Sequence, residues 1–492
     1  MKAVGAATSG EGFDPKEPRG GLVAVEDTIA AIATAVAPGQ GSVAIVRLSG
    51  PQAEAIGRRL FQAPGQQEWA SHRVLYGHVV VPKSGERLDE ALLLLMRAPR
   101  SFTREDVVEL HCHGGLVAVR RVLKAVLDAG ARLAAPGEFS QRAFLNGRLD
   151  LTRAEAIAEM IGARGQRAAQ LAMAGLEGGL QRRITALRER LLDQLAELEA
   201  RLDFEEDLPP LQPEAVIQGL QGVRAELQDL VREAEQGQRL REGLRVAIVG
   251  RPNVGKSTLL NRLSRQDRAI VTDLPGTTRD LLESELVLEG VPLTLVDTAG
   301  IHATDDLVER LGIGRSQGAL AAADAVLLVF DVASGWGPAD QRVRELVPAG
   351  VPLLLVGNQC DRCGLAAGAV AAGGVEVGVG DGAVVEAGAP AQVLISALSG
   401  AGETELGQML LQCCGASASE GLQVALNDRQ RQLAAGAAES LQRSLEAAAD
   451  GLPWDFWTID LAAAASTLGE ITGETVTEAV LDRVFSRFCI GK

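Results

Sequence analysis

The chain has 492 residues, 47% of them hydrophobic and only 3% aromatic, with a net charge of −16. This length predicts two to four domains, and the acidity argues against a nucleic-acid binder that uses its whole surface. No apolar run approaches the length of a membrane span, and six cysteines scattered over a long chain suit a reducing cytoplasm without a disulfide framework.

Residues 1–25 are rich in Gly, Glu, Pro and Ala and lack an apolar segment of the secretory type, so a disordered extension is expected there. Residues 26–145 mix short apolar runs with turns and predict an α+β domain. Strands are expected at Thr28–Ala35, Ser42–Leu48, Leu88–Arg97 and Asp106–His113, with a helix over Leu116–Leu127. Pro38-Gly39-Gln40-Gly41 separates the first two strands. Alternation along the fourth puts Glu109, His111 and His113 on one face. These are metal-ligand types, but one face of a strand lining a polar cleft explains them more simply.

From residue 146 the pattern turns helical. Leu180, Ile184, Leu187, Leu191, Leu195, Leu198 and Leu202 step by threes and fours, as in a long amphipathic helix. Asp207-Leu208-Pro209-Pro210 stops it, and a second helix is expected over Pro213–Arg239. Arg182, Arg183, Arg188 and Arg190 are read as a solvated helix face. Helical patterning resumes at 423–450 and 458–468. The simplest topology is a helical domain (146–240 and 421–492) interrupted by an inserted domain at 241–420.

The inserted stretch opens with Leu244–Val249, an apolar run that reads as a buried strand, followed by Gly250-Arg251-Pro252-Asn253-Val254-Gly255-Lys256-Ser257. This fits G-x-x-x-x-G-K-[ST], the phosphate loop of nucleoside triphosphatases. Thr258–Leu263 continues at helical spacing, so the motif stands between a strand and a helix. The turn's N–H groups and the helix N-terminus would face a triphosphate; Lys256 would reach the outer phosphates and Ser257 would hold Mg²⁺. Only six of the 48 basic residues are Lys, which makes Lys256 and the terminal Lys492 stand out. Further apolar runs at Leu293–Val296, Ala325–Phe330, Pro352–Val356 and Gln392–Ile395 predict a parallel α/β sheet. Residues 363–391 look like a Gly/Ala/Val-rich insertion. Cys360-x-x-Cys363 has metal-pair spacing but no second pair nearby.

Three more segments fall in the order a GTPase needs. Thr272-Asp273-Leu274-Pro275-Gly276-Thr277-Thr278 sits where the first switch belongs, and one Thr there would complete the Mg²⁺ shell. Asp297-Thr298-Ala299-Gly300 ends a strand; its carboxylate would serve Mg²⁺ and its glycine N–H the γ-phosphate. Asn358-Gln359-Cys360-Asp361 resembles the guanine-reading N-K-x-D, with Asp361 accepting two N–H bonds from guanine, and Ser396-Ala397-Leu398 resembles the last base-contact loop. Gln359 stands where Lys is usual, and Leu398 where Lys or Arg is usual. GTP is therefore expected over ATP, with weakened affinity. Ile301 follows Gly300, and an apolar side chain cannot orient water as the glutamine of Ras-like enzymes does.

Outside these motifs lie Gly137-Glu138-Phe139-Ser140-Gln141-Arg142-Ala143-Phe144-Leu145-Asn146-Gly147-Arg148-Leu149-Asp150-Leu151, then Leu468-Gly469-Glu470-Ile471-Thr472-Gly473-Glu474, and the terminus Phe488-Cys489-Ile490-Gly491-Lys492. With them the chain resembles the MnmE/TrmE family of tRNA-modification GTPases from Asp27 to Lys492. The resemblance implies a multidomain protein: an α+β N-terminal folate-binding domain, an all-α helical domain and an inserted α/β P-loop GTPase domain. It implies that Arg47, Glu109, Arg148 and Lys492 contact a one-carbon folate, 5,10-methylene- or 5-formyl-tetrahydrofolate, and that Cys489 lies near the chemistry; a buried structural thiol is the alternative for Cys489. It implies that K⁺, held by Asn253, Thr272, the Leu274 carbonyl and Thr277, replaces an arginine finger, that Ser257 and Thr278 hold Mg²⁺, and that Glu309 activates water. It also implies a homodimer, and a heterotetramer with the FAD protein MnmG that forms a (carboxymethyl)aminomethyl group at C5 of wobble uridine 34 of certain tRNAs. Two rivals stay open: a ribosome-assembly GTPase of the Era or EngA type, and a degenerate nucleotide switch.

Overall fold

The computed structural model describes residues 27–36, 41–204, 212–266, 283–297, 318–370, 378–379, 383–384, 391–416 and 426–491. The expectations for residues 1–25, for the stop at Asp207-Leu208-Pro209-Pro210, for the first switch, for Thr298 to Ile301, for Glu309 and for Lys492 lie outside them. Two compact units emerge. The first draws its described residues from Met1–Ala158, Gln181–Glu189 and Ala465–Lys492; the second draws on Glu159–Leu180 and Arg190–Ala464.

The first unit is built on a seven-stranded sheet of order β3-β4-β5-β6-β2-β1-β7. Its strands are β1 (Ile29–Ile32), β2 (Val43–Ser49), β3 (Phe61–Gln62), β4 (Arg73–Val80), β5 (Arg87–Met96), β6 (Val107–His113) and β7 (Arg132–Leu133). All neighbours run antiparallel except β1 and β7. Period-two alternation decides what each strand buries. Ala44, Val46 and Leu48 of β2 face a core shared with Val119, Val122 and Val126 of the helix Leu116–Asp128 and with Ile56 and Leu60 of the helix Ala53–Leu60. The intervening residues Val43, Ile45 and Arg47 point to the opposite face. There, near β1, Ile29 and Ala31 pack with Phe139 of the helix Glu138–Leu145 and with Phe102. Phe144 of that helix meets Leu481, Phe485 and Phe488, which anchors the C-terminal segment in this unit.

The second unit contains β8 (Leu244–Val249), β9 (Glu283–Leu288), β10 (Val291–Asp297), β11 (Ala325–Asp331), β12 (Leu353–Asn358), β13 (Gly368–Ala369), β14 (Gly378–Val379), β15 (Ala383–Val384) and β16 (Val393–Leu394). Its main sheet has the order β13-β16-β12-β11-β8-β10-β9. The five inner strands are parallel, and β9 and β13 close the edges antiparallel. β11 is fully buried on both faces: Leu327 belongs to one core and Leu328 to the other. A strand covered on both sides shows as an unbroken apolar run, and truncating either leucine to Ala is expected to cost about 2–5 kcal/mol. The helix Pro213–Glu242 starts with Pro at its first turn and ends at Gly243, leading directly into β8.

The 363–391 stretch is not bare loop. It contributes β13 to the sheet edge, and β14 and β15 form a two-stranded antiparallel pair. Among the described residues no helix is long and apolar enough to cross a membrane.

Candidate functional site

The phosphate loop lies at the C-terminal end of β8, between β10 and β11, where ligands bind in open parallel sheets. Its backbone leaves the ordinary regions three times: Gly250 at φ +148°, Asn253 at +63° and Gly255 at +93°. A Cβ on Gly250 would lie 2.1 Å from the Val329 carbonyl oxygen, and one on Gly255 would lie 2.3 Å from Asn358 Nδ2. The glycines therefore allow the loop to press against β11 and β12. Lys256 opens the helix Lys256–Gln266, and its Nζ donates to the carbonyls of Gly250 and Arg251, both at 2.7 Å. The ammonium is folded over the loop where the outer phosphates of a nucleotide belong. Asp297 ends β10 in register with Ile248, which puts its position beside the loop.

The segments expected to contact the base converge on the same edge. Asn358 is buried, donates from Nδ2 to the Val254 carbonyl at 2.8 Å and accepts from the Ala397 N–H at 2.9 Å. Ser396 and Ala397 are buried, whereas Leu398 is 79% exposed, with no charge to offer a base or phosphate. Gln359 takes a left-handed conformation, and its Nε2 reaches the Asn253 carbonyl at 3.4 Å. Asp361 is exposed in the short helical turn Cys360–Cys363. Burial raises the pKa of both thiols of that turn. Arg262 ties the helix after the phosphate loop to the segment that follows Ser396-Ala397-Leu398, donating from Nε to Glu403 Oε1 at 2.8 Å and from Nη2 to the Ser399 carbonyl at 3.1 Å.

In the first unit, Arg47 and Glu109 are cross-strand partners, with Arg47 Nε to Glu109 Oε1 at 2.8 Å. His111 Nε2 meets Glu109 Oε2 at 3.1 Å, so these residues do share one face. His113 pairs instead with Asp89, which raises its pKa. Among the described residues no group of three or more His, Cys, Asp or Glu could hold a metal. The C-terminal segment reaches the same corner. Arg47 Nη1 lies 3.5 Å from the Gly491 carbonyl, and Gly137 N–H donates to the Cys489 carbonyl at 3.4 Å. Cys489 is exposed, which corrects the buried-thiol alternative. Cys112, in contrast, is a buried thiol pushed up to about 11 by desolvation and belongs to the core.

Arg148 donates to the Ser101 carbonyl and lies 5.2 Å above the Phe102 ring, while Arg47 lies 5.8 Å from Phe139. Phe102 and Phe139 belong to one cluster, which links the two arginines. Burial, with the neighbouring Arg104 adding to it, holds the Arg148 pKa below its ordinary value. Ser101 and Phe102, which hold Arg148 from a loop some 45 residues away, carry no local pattern that marks them.

A phosphate loop on an inner strand of a parallel sheet, braced by a buried asparagine to the Ser396-Ala397-Leu398 loop, defines a P-loop nucleotide-binding protein. Beyond that geometry, a family model described as the MnmE helical domain matches residues 151–489, and one described as the GTP-binding protein TrmE N-terminus matches residues 28–148. The tRNA modification GTPase MnmE of Synechococcus sp. (strain CC9605) is 66% identical over 467 residues, 95% of this chain and 99% of the relative. Those of Synechococcus sp. (strain WH7803) and Prochlorococcus marinus (strain MIT 9313) are each 64% identical, over 94% and 95% of this chain and 98% of each relative. An Aquifex aeolicus Era structure bound to GDP and AlF4⁻ is 25% identical over 40% of this chain and 66% of that one, at a TM-score of 0.27, too distant to support an argument. The chain belongs to the MnmE family of tRNA modification GTPases.

Proposed function

We propose that this GTPase works with an FAD-dependent MnmG-type partner to form the carboxymethylaminomethyl or aminomethyl group at C5 of wobble uridine 34 in certain tRNAs. The observation that carries the proposal is the joint presence of a braced GTP site and an Arg47–Glu109 corner that the C-terminal segment adjoins. In domain terms, residues 26–145 hold the one-carbon folate, 146–240 and 421–492 form the helical domain, and 241–420 form the GTPase domain.

The donor set suits each ligand. A folate offers a glutamate tail and a pterin with donors and acceptors; Arg47, Arg148, Glu109 and Lys492 offer the complementary charges. Mg²⁺ would be held by Ser257 and Thr278, and K⁺ by Asn253, Thr272, the Leu274 carbonyl and Thr277. Bound there, K⁺ would supply the positive charge that an arginine finger supplies elsewhere. Glu309 would orient the attacking water, the task Ile301 cannot perform.

Homodimerisation is supported by an exposed apolar strip on the open face of β4 and β5, where Val74, Tyr76 and Leu92 lie side by side. Free thiols at all six cysteines suit the cytoplasm.

The test is deletion of the gene followed by mass spectrometry of tRNA wobble uridines. Loss of the C5 group is expected, with restoration by the wild-type gene but not by a Glu309→Ala copy. Unchanged wobble uridines in the deletion strain would refute the proposal.

A further inference from the structure

The segment Gly335–Asp340 carries none of the nucleotide motifs, yet it grips the phosphate loop. Asp340 lies in the first turn of the helix Pro338–Glu345 and is fully buried. Its Oδ2 accepts the Gly337 N–H at 3.0 Å, and its Oδ1 accepts Arg251 Nε at 2.7 Å. Arg251 Nη2 also reaches the Gly335 carbonyl at 3.3 Å. A buried carboxylate requires such partners. Arg251 is the second residue of the phosphate loop, at a position where the motif accepts any side chain. Its own carbonyl accepts Lys256 Nζ at 2.7 Å. Contacts thus run from Asp340 through Arg251 to Lys256.

We propose that Asp340 is a positioning residue for GTP binding, acting through Arg251 to hold the first turn of the phosphate loop in its cradle shape before nucleotide arrives. The need for a brace follows from the backbone. Gly250 and Gly255 are glycines, the residues with most backbone freedom to lose, and Asn253 is held in the left-handed region, so contacts that fix this shape in advance remove part of the ordering cost of binding. Asn358 supports the distal half through the Val254 carbonyl, and the Asp340–Arg251 pair supports the proximal half. When a triphosphate enters, Lys256 leaves the two carbonyls for the phosphates, and the loop must keep its form while it does so. Pre-organisation of this kind lowers the cost of binding. The proposal rests on reading this loop as the GTP site.

The full-length chain is tested as Arg251→Gln, Asp340→Asn, the double variant and Arg251→Lys, by steady-state GTP hydrolysis and by fluorescent mant-GTP titration. Each single variant is expected to raise KM and the mant-GTP Kd roughly tenfold, the scale of one charge-assisted hydrogen bond. The expected change in kcat is under about twofold, because the brace acts before chemistry. The double variant is expected to match the worse single one, since both break a single relay. Arg251→Lys should recover part of the loss, because an ammonium restores the positive charge beside Asp340 but lacks the rigid planar fork that spans Asp340 and the Gly335 carbonyl. Arg251 is partly exposed, so Arg251→Gln decides the matter even if Asp340→Asn fails to fold. Wild-type KM in folded Arg251→Gln would overturn the proposal, as would a double variant whose loss is the product of the single losses. If the folded wild-type chain itself ignored mant-GTP, the nucleotide reading would fall and this inference with it.

Discussion

Asn358 fastens the end of β12 to Val254 in the phosphate loop, through an Nδ2–carbonyl hydrogen bond of 2.8 Å. Its other amide atom accepts the Ala397 N–H, so one side chain aligns the phosphate loop with the segment proposed to contact the base. Asn358→Ala leaves both backbone groups without that partner in a buried place. The Kd for GTP is expected to rise roughly 10- to 100-fold, measured by titration calorimetry.

Gln359 holds the Asn253 carbonyl only at 3.4 Å, and its own side-chain oxygen is taken by Arg362 at 2.5 Å. A lysine there would bring a charged donor to the loop carbonyl and an alkyl stem to the base. Gln359→Lys is expected to tighten GTP binding roughly three- to tenfold while leaving the preference for GTP over ATP in place, since Asp361, the proposed guanine contact, is unchanged. Parallel calorimetric titrations with GTP and ATP measure both effects. Equal binding of the two nucleotides by the unaltered chain would overturn the guanine reading.

Arg47→Ala is expected to weaken binding of 5-formyl-tetrahydrofolate by tenfold or more, on the scale of a lost charge-assisted contact. Glu109 then stays nearly buried without its guanidinium partner. A thermal melt run beside the folate titration separates lost contact from lost fold.

What the sequence disclosed and what it withheld follow a physical line. β8 and the loop after it were legible because a fully buried strand, a glycine turn and a helix are all local patterns. β4 was missed. It exposes Val74 and Tyr76 on its open face, which blurs the alternation that marks a half-buried strand. Alternation put Glu109 on a polar strand face, but its pairing with Arg47, 62 residues away, came only through the family motifs. Arg251 and Asp340 are separated by 89 residues, and no local period connects them. Ion pairs that brace a site form across folded elements, and periodicity records only which face is buried.

Glu54, in the first turn of the helix Ala53–Leu60, is held down to about 2 by its hydrogen bonds to Arg97 and, beyond that, to Arg58. A carboxylate depressed in the folded state stabilises it above the ordinary value near 4.5, and that contribution is lost as pH falls through about 2. Arg97→Ala is expected to move the Glu54 titration up toward 4.5 and to shift acid unfolding of the first unit to higher pH. Carboxyl NMR titration reads the first effect and circular dichroism against pH the second.

In the proposed mechanism a bound cation assists GTP hydrolysis in place of an arginine finger, beside a motif that Ile301 follows where Ras-like enzymes carry glutamine. The direct measurement is steady-state GTP hydrolysis by the full-length chain in K⁺ and in Na⁺ buffer at equal ionic strength. A kcat higher in K⁺ by tenfold or more is expected, a difference of about 1.4 kcal/mol in the barrier. Equal rates in the two buffers would contradict the claim.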